Sequence, residues 1–134
     1  MPDAAIYNPY PVERQNNIGL LGDKSHHFAL RVIKAYKYLR KKKELVLSNQ
    51  LLRAGTSIGA NCREAIYAQS KADFVNKLSI SLKEATETKY WLELLHESEN
   101  LNSTQFDSLI NDLNIIIGTL VTTIKNTKRN GGDE

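Results

Sequence analysis

Apolar residues recur at helical spacing along most of this chain, in four runs divided by short polar breaks. The last run is the cleanest: Phe106, Leu109, Ile110, Leu113, Ile116, Ile117, Leu120, Val121 and Ile124 stand at nearly heptad spacing. The spacing predicts helices over residues 24–42, 48–69, 71–98 and 103–128. Phe28, Val32, Ile33, Tyr36 and Leu39 form the stripe of the first, with Asp23 or Ser25 as its expected N-cap. Leu51, Leu52, Ile58, Cys62, Ala65 and Ile66 face the core from the second. Ser70 followed by Asp73 reads as the cap of the third. No segment carries a good strand signal. Long amphipathic helices with short connections favour an all-α fold, an antiparallel up-down-up-down four-helix bundle over residues 23–128.

At 134 residues the chain is one domain, long enough to bury a core without staples. Residues 1–22 hold all three prolines and show no apolar periodicity, so an extended or disordered arm is expected there. Tyr7, Tyr10, Ile18, Leu20 and Leu21 are the residues that could dock it. Residues 129–134 read as a flexible tail. The single cysteine excludes an intramolecular disulfide and fits a reducing compartment. No apolar run approaches the ~18 residues of a membrane span, and the N-terminus does not read as a signal peptide. A cytoplasmic protein with no membrane association is expected.

Charge is unevenly spread. The net charge is only +3, yet from Lys24 to Lys43 there are eight basic residues and no acidic one. Lys34, Lys37, Arg40, Lys41, Lys42 and Lys43 dominate this run. It reads either as a solvated helix face whose basic end suits the helix dipole, or as a polyanion-binding patch. Arg53 and Arg63 are weaker candidates for the same role.

The second and third helices hold the remaining polar features. Gly55 and Gly59 would each cost about 1 kcal/mol against Ala mid-helix, and their spacing leaves a groove where another backbone can approach. Ser57, Asn61 and Glu64 share a helical face, while Lys83, Glu84 and Glu87 lie mid-way along the third helix. Antiparallel packing would pair Glu64 with Lys77 and bring Ser57 and Asn61 near Lys83, Glu84 and Glu87. Such a network either fixes helix register or forms a partner-binding surface. Phe74, Leu78, Leu82, Ala85 and Leu92 form the core face of the third helix, and Ile80, Trp91 and Leu94 point away from it. That second apolar face is either covered by the fourth helix or the arm, or is a subunit interface of a homo-oligomer.

Catalytic chemistry finds little support. Glu93-x-x-His96 and Asp23-x-x-His26 mimic halves of a di-iron motif, but the topology sets them roughly 35 Å apart. Cys62 reads as a core thiol. Gly55-x-x-x-Gly59 is not followed by a phosphate-binding sequence. No metal, cofactor or catalytic residue is expected, and the chain reads as a non-enzyme.

Several segments carry a family likeness: Gln50 through Ala65, Ala68-Gln69-Ser70, Asp73-Phe74, and Leu82 through Thr88 with Trp91-Leu92. Together they resemble the four-helix-bundle proteins encoded in intervening sequences of bacterial 23S ribosomal RNA genes, also termed the 23S ribosomal protein family. The likeness covers about residues 23–127, with Ala54 where the family commonly has Ser and Cys62 where it has Ile or Val. It implies a ring-shaped homopentamer. A related pentameric bundle is the accessory protein of diversity-generating retroelements, whose basic surface binds nucleic acid and reverse transcriptase. By that likeness the expected function is a non-catalytic oligomer binding nucleic acid, RNA more than DNA, through Lys34, Lys37 and Arg40 to Lys43. With Tyr36 and Tyr38 as the only interleaved aromatics, backbone contacts rather than base readout are expected. The alternative is a protein-interaction scaffold using the Ser57, Asn61, Glu64, Lys83, Glu84 and Glu87 surface.

Overall fold

A computed structural model describes the backbone of residues 12–131 and the side chains of residues 18–130. These residues form four helices, α1 (Val12–Lys41), α2 (Val46–Ile66), α3 (Lys71–Glu97) and α4 (Ser103–Gly131), with no strand among them. α2 packs on α1 and α3, and α4 packs on α3 and α1, so the helices surround one core. Phe28, Leu39, Leu51, Ile58, Phe74, Leu78, Leu92, Leu113 and Leu120 are fully enclosed in it. Burying each such side chain stabilises the fold by about 1.5–3 kcal/mol.

The first helix corrects the expected boundary. Residues 12–22, read as part of an extended arm, are its opening turns. Ile18 and Leu21 are 3% and 0% exposed, and with Ser25, Phe28 and Val32 they continue the core stripe at three- and four-residue steps. The prolines end at Pro11, just before the helix, where proline disrupts nothing. Asp23 and Ser25 are therefore interior residues rather than caps, and the Ser25 hydroxyl donates to the Gly22 carbonyl at 3.3 Å. Tyr7 and Tyr10 lie outside the described residues. At the other end, α4 runs on past the expected tail boundary to Gly131.

Helix ends follow local chemistry. The Asp73 N–H donates to Ser70 Oγ at 3.0 Å and the Gln69 N–H to Asp73 Oδ2 at 3.2 Å, so the expected cap of α3 is in place. At α4, the Gln105 N–H donates to Asn102 Oδ1 and the Asn102 N–H to Gln105 Oε1, a reciprocal capping box. α1 closes in a Schellman turn, with the Glu44 N–H on the Leu39 carbonyl at 3.0 Å and the Lys43 N–H on the Arg40 carbonyl at 2.9 Å. α3 closes the same way, with the Asn100 N–H on the Leu95 carbonyl at 2.8 Å and the Glu99 N–H on the His96 carbonyl at 3.0 Å. Lys43 and Glu99 occupy the left-handed positions, at φ 67° and 66°, where glycine is usual.

Gly55 and Gly59 serve the close approach expected of them. A Cβ on Gly55 would meet both Val32 methyl carbons at 2.8 Å, and one on Gly59 would stand 3.4 Å from the Ser25 carbonyl oxygen and hydroxyl. Beside this contact Cys62, Ser25 and Ser81 are all buried. Cys62 Sγ lies 3.3 Å from Ser81 Oγ, which donates to the Ile58 carbonyl at 2.9 Å. Burial pushes the Cys62 thiol pKa up, outweighing its hydrogen bonds to Ser81 and Ser25.

Candidate functional site

The basic run of α1 divides by direction. Lys34, Lys37 and Lys41 stand three and four residues apart, so they share one outer face. All three are exposed, as are Arg40, Lys42 and Lys43, and among the described residues none of the six is in an ion pair with a carboxylate. Arg40 leans toward α2, with its guanidinium 3.4 Å from Asn49 Oδ1 and 5.4 Å from the Tyr36 ring centre. Lys42 donates to the Asn100 carbonyl at 3.0 Å, tying the α1–α2 turn to the α3–α4 turn. Its ammonium also sits 5.4 Å from the Tyr38 ring centre. Beyond the cations, Leu45 and Val46 are 46% and 70% exposed. The result is a cationic end of the bundle with aromatic and apolar groups among the charges.

Three cations elsewhere are paired with carboxylates. Arg31 reaches across to α4, meeting Asp112 Oδ2 at 2.6 Å, the Ser108 carbonyl at 3.1 Å and Ser108 Oγ at 2.6 Å. Arg53 meets Glu84 at 3.3 Å and also Glu87. Lys77 meets Glu64 at 3.0 Å, as the sequence suggested, and that hydrogen bond and charge raise the lysine pKa. Arg53 is therefore spoken for by carboxylates, which weakens it as a phosphate ligand.

The polar cluster differs from the expected one in two ways. Arg53, not Ser57 or Asn61, reaches Glu84 and Glu87. Ser57 Oγ donates to the Arg53 carbonyl at 2.7 Å and Asn61 Nδ2 to the Ser57 carbonyl at 2.9 Å, so both bond along α2 itself. Lys83 is exposed and in no ion pair among the described residues. The cluster is also a surface one, with the Arg53 and Glu64 side chains 50% and 58% exposed. A short polar side chain in a helix bonds back to the preceding turn more readily than it spans two helices, which accounts for Ser57 and Asn61.

On α3, Ile80 and Leu94 are half-buried. Trp91 is half-buried too, but part of it packs on the core, and its Nε1 donates to Glu87 Oε2 at 2.9 Å. Tyr90, 52% exposed, lies beside it with ring centres 5.1 Å apart. The outward apolar face is thus broader than Ile80, Trp91 and Leu94, and less fully exposed. His96 stacks on Phe106 at 4.4 Å, and no cluster of three or more His, Cys, Asp or Glu side chains comes together among the described residues. No helix among them is long and apolar enough to cross a membrane.

Reading the sequence missed Arg31 and its α4 partners. Asp112 lies 81 residues from Arg31, and no local spacing announces such a pair.

The sequence profile of the 23S rRNA-intervening sequence protein family matches residues 21–122. A solved structure from Bacteroides thetaiotaomicron VPI-5482, a protein of unknown function from the S23 ribosomal protein family, is similar in sequence and fold. It is 52% identical, with 81% of this chain and 98% of that chain covered, at a TM-score of 0.80. No curated protein matches the chain.

Proposed function

This chain belongs to the 23S rRNA-intervening sequence protein family, and from that premise we propose that it is a non-catalytic, oligomeric nucleic-acid-binding protein of the cytoplasm. RNA is the preferred ligand over DNA. One observation carries the reading: Lys34, Lys37, Arg40, Lys41, Lys42 and Lys43 are all exposed and none is in an ion pair among the described residues, whereas Arg31, Arg53 and Lys77 are each paired with carboxylates. Unpaired cations on one end of a rigid element are what a phosphate backbone requires.

The bundle is read as antiparallel, up-down-up-down. Residues later in α2 meet residues earlier in α3 (Arg53 with Glu84, Glu64 with Lys77), and Arg31 meets Asp112 across the α1–α4 seam, in keeping with that topology. The protomers form a homopentamer, with Ile80, Trp91 and Leu94 at the subunit interface. The likeness to ring-forming relatives and the apolar outer face of α3 support this. A ring repeats the basic end around itself, and multivalency converts weak contacts into usable affinity.

Fluorescence anisotropy with a labelled single-stranded RNA, between low and physiological salt, tests the reading. Log affinity should fall with log salt at about −0.7 per phosphate contact. Replacing Arg40, Lys41, Lys42 and Lys43 by Gln should weaken binding and flatten that slope while leaving the assembly intact. If the wild-type protein binds no nucleic acid at low salt, the protein-scaffold reading of the α2–α3 surface replaces this one.

A further inference from the structure

A groove of about 390 Å³ opens between α1 and α4, with Lys34 in its wall and Lys37 and Lys41 on the same helix within a turn of Tyr38. Its apolar lining comes from Ala35 on α1 and from Leu101 and Leu109, both nearly fully buried. Ala35 is the smallest side chain in its lining. Arg31 forms part of the wall, with its guanidinium held by Asp112 and Ser108, so its charge is already answered. Tyr38 lines the groove too and keeps 40% of its surface exposed, with the Lys42 ammonium 5.4 Å from its ring centre, so a base would stack on the ring only where that lysine moves aside or on its other face. From α4, Gln105 commits its amide oxygen to the Asn102 N–H at 2.9 Å, which leaves its amide nitrogen as a donor.

We propose that this groove is a base-binding subsite, which makes the protein a single-strand binder rather than a duplex binder. The proposal rests on the nucleic-acid reading above and adds to it the class of nucleic acid. One unstacked nucleobase enters the groove against the Tyr38 ring, and Lys34, Lys37 and Lys41 hold the flanking phosphates. Three features fit one another here: an open, partly apolar groove with room for a base, a part-exposed aromatic ring, and cations within one helical turn of it that are in no ion pair among the described residues. A paired base keeps its faces stacked inside the helix and cannot enter such a slot, whereas a single strand can splay a base into it. Every base has a π-face, so the subsite tolerates any sequence. An acidic peptide would use the lysines but would have no need of the tyrosine or the slot.

The test measures anisotropy of the full chain with three probes of equal charge. They are a short single-stranded RNA, the same backbone with abasic positions, and a duplex. Wild-type protein should bind the strand with bases about tenfold more tightly than the abasic strand, the range of one aromatic–base stack. Tyr38→Ala should erase that difference without changing the salt slope, and Tyr38→Phe should retain it. Equal affinity of wild type for the intact and abasic strands overturns the subsite while leaving phosphate binding standing. Equal loss on all three probes in Tyr38→Ala overturns it as well, since that result describes a general defect. Binding of none of the probes at low salt removes the nucleic-acid reading, and the subsite with it.

Discussion

Val32 and Gly55 decide how closely α1 and α2 approach. Val32 is β-branched and stiff, and both its methyl carbons would stand 2.8 Å from a new Cβ, so it cannot turn away. Gly55→Ala should therefore destabilise the fold by about 1–3 kcal/mol of overpacking, more than the roughly 1 kcal/mol of helix propensity it gains. Gly59→Ala meets only ordinary contact at 3.4 Å and should be neutral or stabilising. Urea denaturation of the two variants, with Val32→Ala added to relieve the first, checks the pair. Cys62 makes a prediction about pH. Its folded pKa is raised above the unfolded value, so the native state holds the proton more tightly. The stability this confers is complete below the ordinary thiol range and is lost as pH rises through the folded value. Wild type should accordingly lose more stability than Cys62→Val between neutral pH and about pH 10. Glu64 is a contrasting case. As a 58% exposed partner of Lys77, its change to Gln should alter stability by no more than about 1 kcal/mol, not the larger loss that a buried network would entail.

Helix ends and helix lengths make their own predictions. Lys43 and Glu99 sit in the left-handed region at φ 67° and 66°, a conformation costing a non-glycine residue about 1–2 kcal/mol. Lys43→Gly and Glu99→Gly should each raise the melting temperature, partly offset by the freedom glycine gives the unfolded chain. The length of α1 can be tested at Leu21, which is fully buried. In an extended arm that did not dock, truncating it would cost nothing. Within the core of a helix that begins at Val12, Leu21→Ala should cost about 2–5 kcal/mol by thermal or urea denaturation.

For the whole molecule, the distribution of charge matters more than its sum. A net charge of +3 from 18 basic and 15 acidic residues says little by itself. Ion pairs between helices neutralise Arg31, Arg53 and Lys77, and the end of α1 is left positive. Under the proposed assembly, light scattering at micromolar concentration should give a mass near five times 15.1 kDa. Ile80→Glu should reduce that mass, because an unpaired charge in a subunit interface is costly. Ile80 is a cleaner probe than Trp91, whose ring also packs on the protomer's own core. A monomeric wild type under these conditions would remove the assembly from the proposal.

Periodicity alone settled which residues become helix and which side of each faces inward. Phe28, Leu51, Phe74 and Leu113 were legible as core because a 3.6-residue period repeats within each segment and needs no knowledge of the others. The cap at Ser70 was legible for the same reason, since its partner is three residues away. The start of α1 was not, because three prolines and a polar composition outweighed the short continuation through Ile18 and Leu21. The register of α2 on α3 could be anticipated at Glu64 and Lys77, where a short connection limits the options, but not the choice of Arg53 over Ser57 as the partner of Glu84. Only tertiary structure could bring Arg31 to Asp112 or open a groove at Ala35 beside Tyr38, because both depend on how the first helix lies against the last. Side chains far apart in sequence meet through packing, and local spacing carries no record of it.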